Sequence, residues 1–277
     1  MSKIIIMAFA AASMLTLAAC NKQAAPADNG IATAASADAI NGTWKADINS
    51  VKFDQKPDEL LLKDGQYSCS TCVPPVKVAA DGAFHPVSGS KYYDSFAAKI
   101  VDDHTVTTTS KRGDAVVGEN TRTISADGKT LTGSFTDSST PNAPPVKGNY
   151  TETRVGEAPA GAHIVSGSWM PSKVNQVSDE GLTVTYRVDG DTLHMSSPAG
   201  QSYDAKLDGS DAPIKGDVGG TVASVKKVGD NSYEETDKRD GKVINVATFT
   251  VGADGKMQVS SHSNLDGSTT TYTAEKQ

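Results

Sequence analysis

The chain has 277 residues, with 33 acidic against 26 basic side chains and a formal charge of −7. An acidic surface repels phosphate backbones, and no stripe of Lys and Arg offsets it, so nucleic acid is not an expected partner. Cysteines number three and aromatic residues make up 6%, which leaves few candidates for thiol chemistry or for a large aromatic cavity.

The chain opens Met1-Ser2-Lys3 and runs apolar from Ile4 to Leu17. That run is short for a bilayer span and fits the core of a signal peptide. It ends Leu17-Ala18-Ala19-Cys20, which resembles the lipobox of bacterial lipoproteins. The resemblance implies that residues 1–19 are removed and that Cys20 becomes a lipidated N-terminus held at a membrane. Asn21 after the cysteine, in place of Asp, implies the outer membrane of a Gram-negative cell envelope. Loss of Lys3 takes the charge from −7 to about −8. Residues 20–38 are rich in Ala, Ser, Asn, Gly and Pro and read as a flexible tether.

The rest repeats itself. Gly42-Thr43-Trp44 recurs as Gly167-Ser168-Trp169, an offset of 125, and these are the two tryptophans. Asp64-Gly65 recurs at the same offset as Asp189-Gly190. From Asp81-Gly82 the offset is 127, and Ala126-Asp127-Gly128-Lys129 matches Ala253-Asp254-Gly255-Lys256. About a third of positions from Asp81 to Lys129 are identical to their counterparts, the signature of a duplicated unit. The units read as 39–155 and 164–277, joined by a Gly/Ala/Pro linker at 156–163.

Val51 to Leu62 alone carries helix-like apolar spacing. Elsewhere short runs such as Thr105–Thr109, Leu182–Val188 and Val246–Val251 alternate with turns, the rhythm of an all-β chain. Eight Asp-Gly pairs punctuate it, each suited to a tight hairpin. Eight to ten antiparallel strands per unit, closed into a barrel, hide the sheet edges; a β-sandwich is the alternative. A Gly-x-Trp on the first strand resembles lipocalins and their relatives. That resemblance implies an indole plugging the closed end of each barrel, with a basic residue of the last strand lying over it. Arg154 and Lys276, near the ends of the two units, are the residues for that role, with Trp44 and Trp169. The second unit also resembles uncharacterised bacterial lipoproteins, which implies no activity.

Tyr67-Ser-Cys69-Ser-Thr-Cys72 holds a Cys-x-x-Cys pair. In an exported chain it reads as a disulfide, Cys69 with Cys72; a redox centre would need a thiol of depressed pKa. Twelve residues separate Cys72 from His85, so Cys69, Cys72 and His85, with His104 as a distant fourth, form a weak metal candidate. At the same offsets the second unit has His194, Ser197, Ala212 and Asn231, so the set is peculiar to the first. Ser88-x-x-Lys91 lacks the companion motifs of a Ser–Lys hydrolase. The shared pairs Lys111-Arg112 and Lys238-Arg239 read as charged hairpin tips. No nucleophile–base pair emerges and no cofactor is expected. The expected function is that of a lipid-anchored, non-catalytic binding or interaction module, taking a small apolar ligand or another envelope protein. A thiol-redox or metal-binding protein centred on Cys69 and Cys72 is the alternative.

Overall fold

The computed structural model describes residues 38–277. The signal segment, Cys20 and the tether as far as residue 37 lie outside the described residues. The first half carries β1 (Gly42–Ala46), β2 (Lys52–Asp54), β3 (Asp58–Lys63), β4 (Gln66–Cys69), β5 (Val76–Ala79), β6 (His85–Pro86), β7 (Ser95–Ile100), β8 (Thr105–Arg112), β9 (Ala115–Ile124), β10 (Thr130–Asp137) and β11 (Val146–Gly156). The second carries β12 (Gly167–Val177), β13 (Thr183–Asp189), β14 (Thr192–Ser196), β15 (Ser202–Lys206), β16 (Asp208–Pro213), β17 (Val222–Gly229), β18 (Ser232–Arg239), β19 (Lys242–Val251), β20 (Met257–Ser263) and β21 (Thr269–Lys276). Two three-residue 3-10 turns are the only helical pieces among the described residues. Val51–Leu62, the one stretch with helix-like spacing, forms β2 and β3. In β3 the burial alternates strictly, with Asp58, Leu60 and Leu62 inward, so the strand period wins. All eight Asp-Gly glycines sit at positive φ, but only Asp64-Gly65 and Asp240-Gly241 place both residues there, as a type I′ hairpin turn requires.

The strands close into two nearly complete antiparallel barrels of ten strands each. The first runs β5-β4-β3-β12-β11-β10-β9-β8-β7-β6, and the second β15-β14-β13-β1-β21-β20-β19-β18-β17-β16, with β2 added outside that path against β21. Single bridges, Asp81 with Lys99 and Ser202 with Lys215, draw the free ends of each barrel together. Each barrel encloses one apolar core, which sets the sandwich alternative aside.

The barrels do not coincide with the repeated units. β1, which opens the first unit, lies between β13 and β21 of the second. β12, which opens the second, lies between β3 and β11 of the first. The units have exchanged their first strands, so Trp44 belongs to the core of the second barrel and Trp169 to that of the first. From β7 to β9 the sequence offset of 127 holds strand for strand. In the β3–β4 hairpin the structural offset is one more than the sequence match: Leu60 pairs with Cys69 where Tyr186 pairs with Met195. Cys69 therefore corresponds to Met195, not His194.

Both indoles are held alike. Trp44 Nε1 donates to Ile40 O at 2.7 Å, and Trp169 Nε1 to Val165 O at 2.8 Å. The Lys276 ammonium lies 5.4 Å from the Trp44 ring centre, and the Arg154 guanidinium 4.1 Å from that of Trp169. Each cation is thus on the ring brought in by the other unit's first strand. Arg154 also donates to the carbonyls of Gly128, Ser166 and Ile164 at 2.5, 2.6 and 2.5 Å. The glycine two residues before each Trp follows from this. Gly42 and Gly167 have φ of +134° and +122°, a region L-residues avoid. A Cβ on Gly167 would also lie 2.5 Å from Arg154 Nη1 and from Gly156 O, and one on Gly42 would overlap the Lys276 side chain.

Two measurements check this arrangement. Thr43 and Thr185 are paired across β1 and β13 with hydroxyl oxygens 2.9 Å apart. A Thr43→Cys/Thr185→Cys variant should form a disulfide that keeps the two halves covalently joined, on a non-reducing gel, after proteolysis in the 157–163 linker. Gly167→Ala should cost about 3 kcal/mol in denaturant unfolding. Gly113→Ala, at positive φ but with nothing within 4 Å, should cost only about 1 kcal/mol.

Candidate ligand cavity

The second barrel is hollow. A cavity of about 300 Å³ opens at one end. Trp44, Ala46 and Met257 lie at the closed end, Tyr186, Phe249 and Tyr272 form the walls, and Arg239, Asp217 and Tyr92 stand at the mouth. Tyr186 stacks on Phe249 with ring centres 5.3 Å apart. Three of the lining residues come from the other half: Trp44 and Ala46 on the exchanged strand, and Tyr92 on the loop between β6 and β7.

The mouth is a hydrogen-bonded junction between the barrels. The Tyr92 hydroxyl donates to Asp217 Oδ1 at 2.7 Å and accepts from Arg239 Nη2 at 2.6 Å. The Arg239 guanidinium also lies 5.0 Å from the Tyr92 ring centre. Burial, and then the Asp217 charge, push the Tyr92 hydroxyl up to about 12. Burial works against ionisation of Asp217 too, but hydrogen bonds from the Thr221 amide, Tyr92 and the Thr221 hydroxyl outweigh it and hold the carboxyl below its ordinary value.

Inside stand two carboxyl groups, Glu235 and Asp237, two residues apart on β18 and so on one face of the strand. Tyr203 donates its hydroxyl to Glu235 Oε2 at 2.5 Å, and Asn245 Nδ2 donates to Asp237 Oδ2 at 3.1 Å. Asp237 Oδ1 is buried with no donor group against it, and the two carboxyls hydrogen-bond to each other. Burial first, and the Asp237 charge second, raise Glu235 well above the usual carboxylate range; burial raises Asp237 as well, against the hydrogen bond from Asn245. The two titrate as a coupled pair.

The first barrel fills the corresponding space. Arg122 stands where the second barrel has Phe249, since Arg122 pairs with Gly133 as Phe249 pairs with Val259. Arg122 is only 2% exposed, and the groups acting on its charge are Tyr150, Tyr67, Glu152 and Asp58. Thr108 and Ser110 occupy the positions of Glu235 and Asp237. Beside this cluster the gap lined by Asp58, Tyr150 and Glu152 is about 10 Å³, hardly room for one water.

Residues singled out in the sequence are placed as follows. Cys69 and Cys72 are bridged and buried in the first barrel's core. A loop this short contributes about 2 kcal/mol by chain entropy, and its burial keeps attacking thiols away. With both sulfurs in the bridge, no thiolate remains for a metal. The His85 ring lies 2.9 Å from Asp81 Oδ1, and His104 Nδ1 lies 3.0 Å from Ile124 O. No group of three or more His, Cys, Asp or Glu side chains suited to a metal occurs among the described residues. Lys91 is exposed and lies 3.6 Å from Asp240. Lys238-Arg239 does end a hairpin strand, but Arg239 turns into the mouth while Lys238 pairs outward with Asp211 at 2.6 Å. Cys20 lies outside the described residues.

Glu235 and Asp237 are the residues that sequence reading missed. A signal was present: β18 reads Ser-Tyr-Glu-Glu-Thr-Asp-Lys-Arg, and a buried Tyr233 puts 235 and 237 on its own inward face. Searches of protein-family models, of curated proteins and of solved structures returned no match to this chain.

Because both carboxyls have folded-state values above their unfolded ones, they favour the fold at low pH, and that contribution is lost as pH rises through the folded values. Glu235→Gln keeps an oxygen for Tyr203 and removes the charge. Thermal melts should therefore show the variant more stable than the parent at pH 8, with the difference vanishing near pH 4.

Proposed function

We propose that this protein is a lipid-anchored component of the bacterial cell envelope, probing or carrying a small organic molecule in its second barrel without transforming it. One observation carries the binding role: an apolar-walled cavity of about 300 Å³, open at one end, with a few polar groups converging inside. That combination is typical of ligand sites, and the volume is at their lower limit. The first barrel, filled by Arg122 and its partners, is a structural companion; the first half of the chain supplies the cavity's floor through Trp44, on the exchanged strand, and part of its mouth through Tyr92. The anchor and the envelope location rest on the lipobox at Leu17–Cys20 and the Ala/Ser-rich tether. The thiol-redox reading loses ground to the buried bridge of Cys69 and Cys72.

Two tests address the two halves of this reading. Indole, neutral and of fitting size, should bind once per chain by calorimetry, and Ala247→Phe, which fills the cavity wall, should weaken it at least about tenfold. Absence of binding by indole and by its ammonium-bearing derivative tryptamine alike would remove the ligand role. Mass spectrometry of membrane-extracted protein should show a mature chain beginning at diacylglyceryl-Cys20, and Cys20→Ser should release the protein from the membrane fraction.

A further inference from the structure

We propose that the second barrel selects a small organic ammonium ion, an aromatic or branched apolar body of about ten to fifteen heavy atoms, with its charge seated on Glu235 and Asp237. The inference rests on that barrel being a ligand site, and it names the chemistry of the ligand.

The acidic pair sits part-way down an apolar cavity, between the aromatic floor and the mouth. An ionised carboxylate only accepts hydrogen bonds. Glu235 receives one, from Tyr203, and Asp237 one, from Asn245. Beyond these the two carboxyls hydrogen-bond to each other, a contact that needs a proton between them, and the buried Asp237 Oδ1 meets no donor group of the protein. A buried acceptor of this kind calls for a charged donor or a proton. No cation of the protein supplies it. Arg239 is committed at the mouth to Tyr92 and Thr221, Lys238 points outward to Asp211, and Lys276 covers the Trp44 ring at the floor.

The sister barrel shows what such a space accepts. There a guanidinium, Arg122, is enclosed among Asp58, Glu152, Tyr67 and Tyr150. The first barrel carries its own cation in a chamber of carboxylates and tyrosines. The second has the carboxylates (Glu235, Asp237) and the tyrosines (Tyr186, Tyr203, Tyr272), with Phe249 in the cation's place and an open volume beside it. A ligand ammonium would complete there what Arg122 completes in the first barrel. An anion would meet two carboxyls, and a neutral molecule would leave the pair to share its own proton.

Charge balance adds a pH signature. In the empty cavity the buried pair retains proton. The facing titratable groups are Tyr186, Tyr203 and Tyr272, which burial holds in the neutral form, with Asp217 and Arg239 at the mouth. An arriving ammonium takes the proton's place, so binding releases a proton and tightens as pH rises towards 8.

The test uses the purified full chain and three isosteres that differ in charge: tryptamine, tryptophol and indole-3-acetate. Calorimetry at pH 7.5 should show tryptamine binding at least about tenfold tighter than tryptophol, with no binding of the acid. Asp237→Asn and Glu235→Gln should each weaken tryptamine about tenfold or more and leave tryptophol within about threefold. Thermal melts of the same variants report their folding. Tryptophol or the acid binding as well as the amine would overturn the ammonium selectivity while leaving the ligand cavity standing. No heat from any of the three would overturn the cavity's ligand role and this inference with it.

Discussion

The interaction on which the architecture depends is the closure of each barrel by an indole from the other unit, capped by a cation. A ten-stranded barrel needs its first and last strands to meet, and here the meeting strands come from different copies of the repeat. β1 enters between β13 and β21, and β12 between β3 and β11. At both seams the same three features recur: a glycine at positive φ, a buried Trp two residues on, and a basic side chain lying over the ring. The cation passes through the space a Cβ would occupy at the glycine, so glycine, indole and cation are one steric unit. Neither barrel is complete without the other half of the chain.

Duplication with exchange then frees the two interiors to diverge. The shell is shared, but several inward positions differ in charge. The first barrel buries Arg122 with Asp58 and Glu152, each no more than 3% exposed. A buried cation between carboxylates fills the space and leaves no room, although the Arg122 Nε itself has no hydrogen-bond partner. In the second, Phe249 and Ala274 replace the cation and one acid, and two acids appear on the neighbouring strand. Removing one partner of a buried set leaves the others uncompensated, which is costly in a sealed core. The second barrel avoids part of that cost by opening at one end, and burial there favours the neutral form of both acids.

Much of this was legible in the sequence, and the reasons are local. Asp-Gly turns and alternating Thr/Val runs mark strands because their geometry is set within a few residues. The plug was read from the resemblance of Gly-x-Trp and a terminal Arg or Lys to lipocalins, and its members recur at matching positions in each copy. The exchange was not legible: Trp44 and Trp169 sit in equivalent sequence contexts, and either strand could complete either barrel as far as pairing patterns go. The cavity was hidden for a related reason. Whether a barrel is filled depends on a sum over facing side chains from several strands, and Arg122, read alone, looks like a surface residue. Acidic residues of β18 looked the same. Only the register with Tyr233 turns them inward, and Arg239, read as an ordinary hairpin-tip charge, becomes a junction with Tyr92.

The exchange also ties the filled barrel to the hollow one. Trp44 forms the cavity floor and Tyr92 part of its mouth, and both belong to the first half. The contact at Tyr92 is tight, since a Cβ on Gly219 would lie 2.6 Å from its hydroxyl oxygen. A movement of the β6–β7 loop would break the bonds from Arg239 to Tyr92 and from Tyr92 to Asp217 together, and would change access to the carboxyl pair. The pair itself opposes stability at neutral pH, because both acids are raised by burial. Groups retained against the stability of the fold, inside an open cavity, are where a binding role is to be sought. The first barrel, with Arg122 among its carboxylates and its disulfide buried, is filled where the second is open, and that contrast is why the binding role is sought in the second.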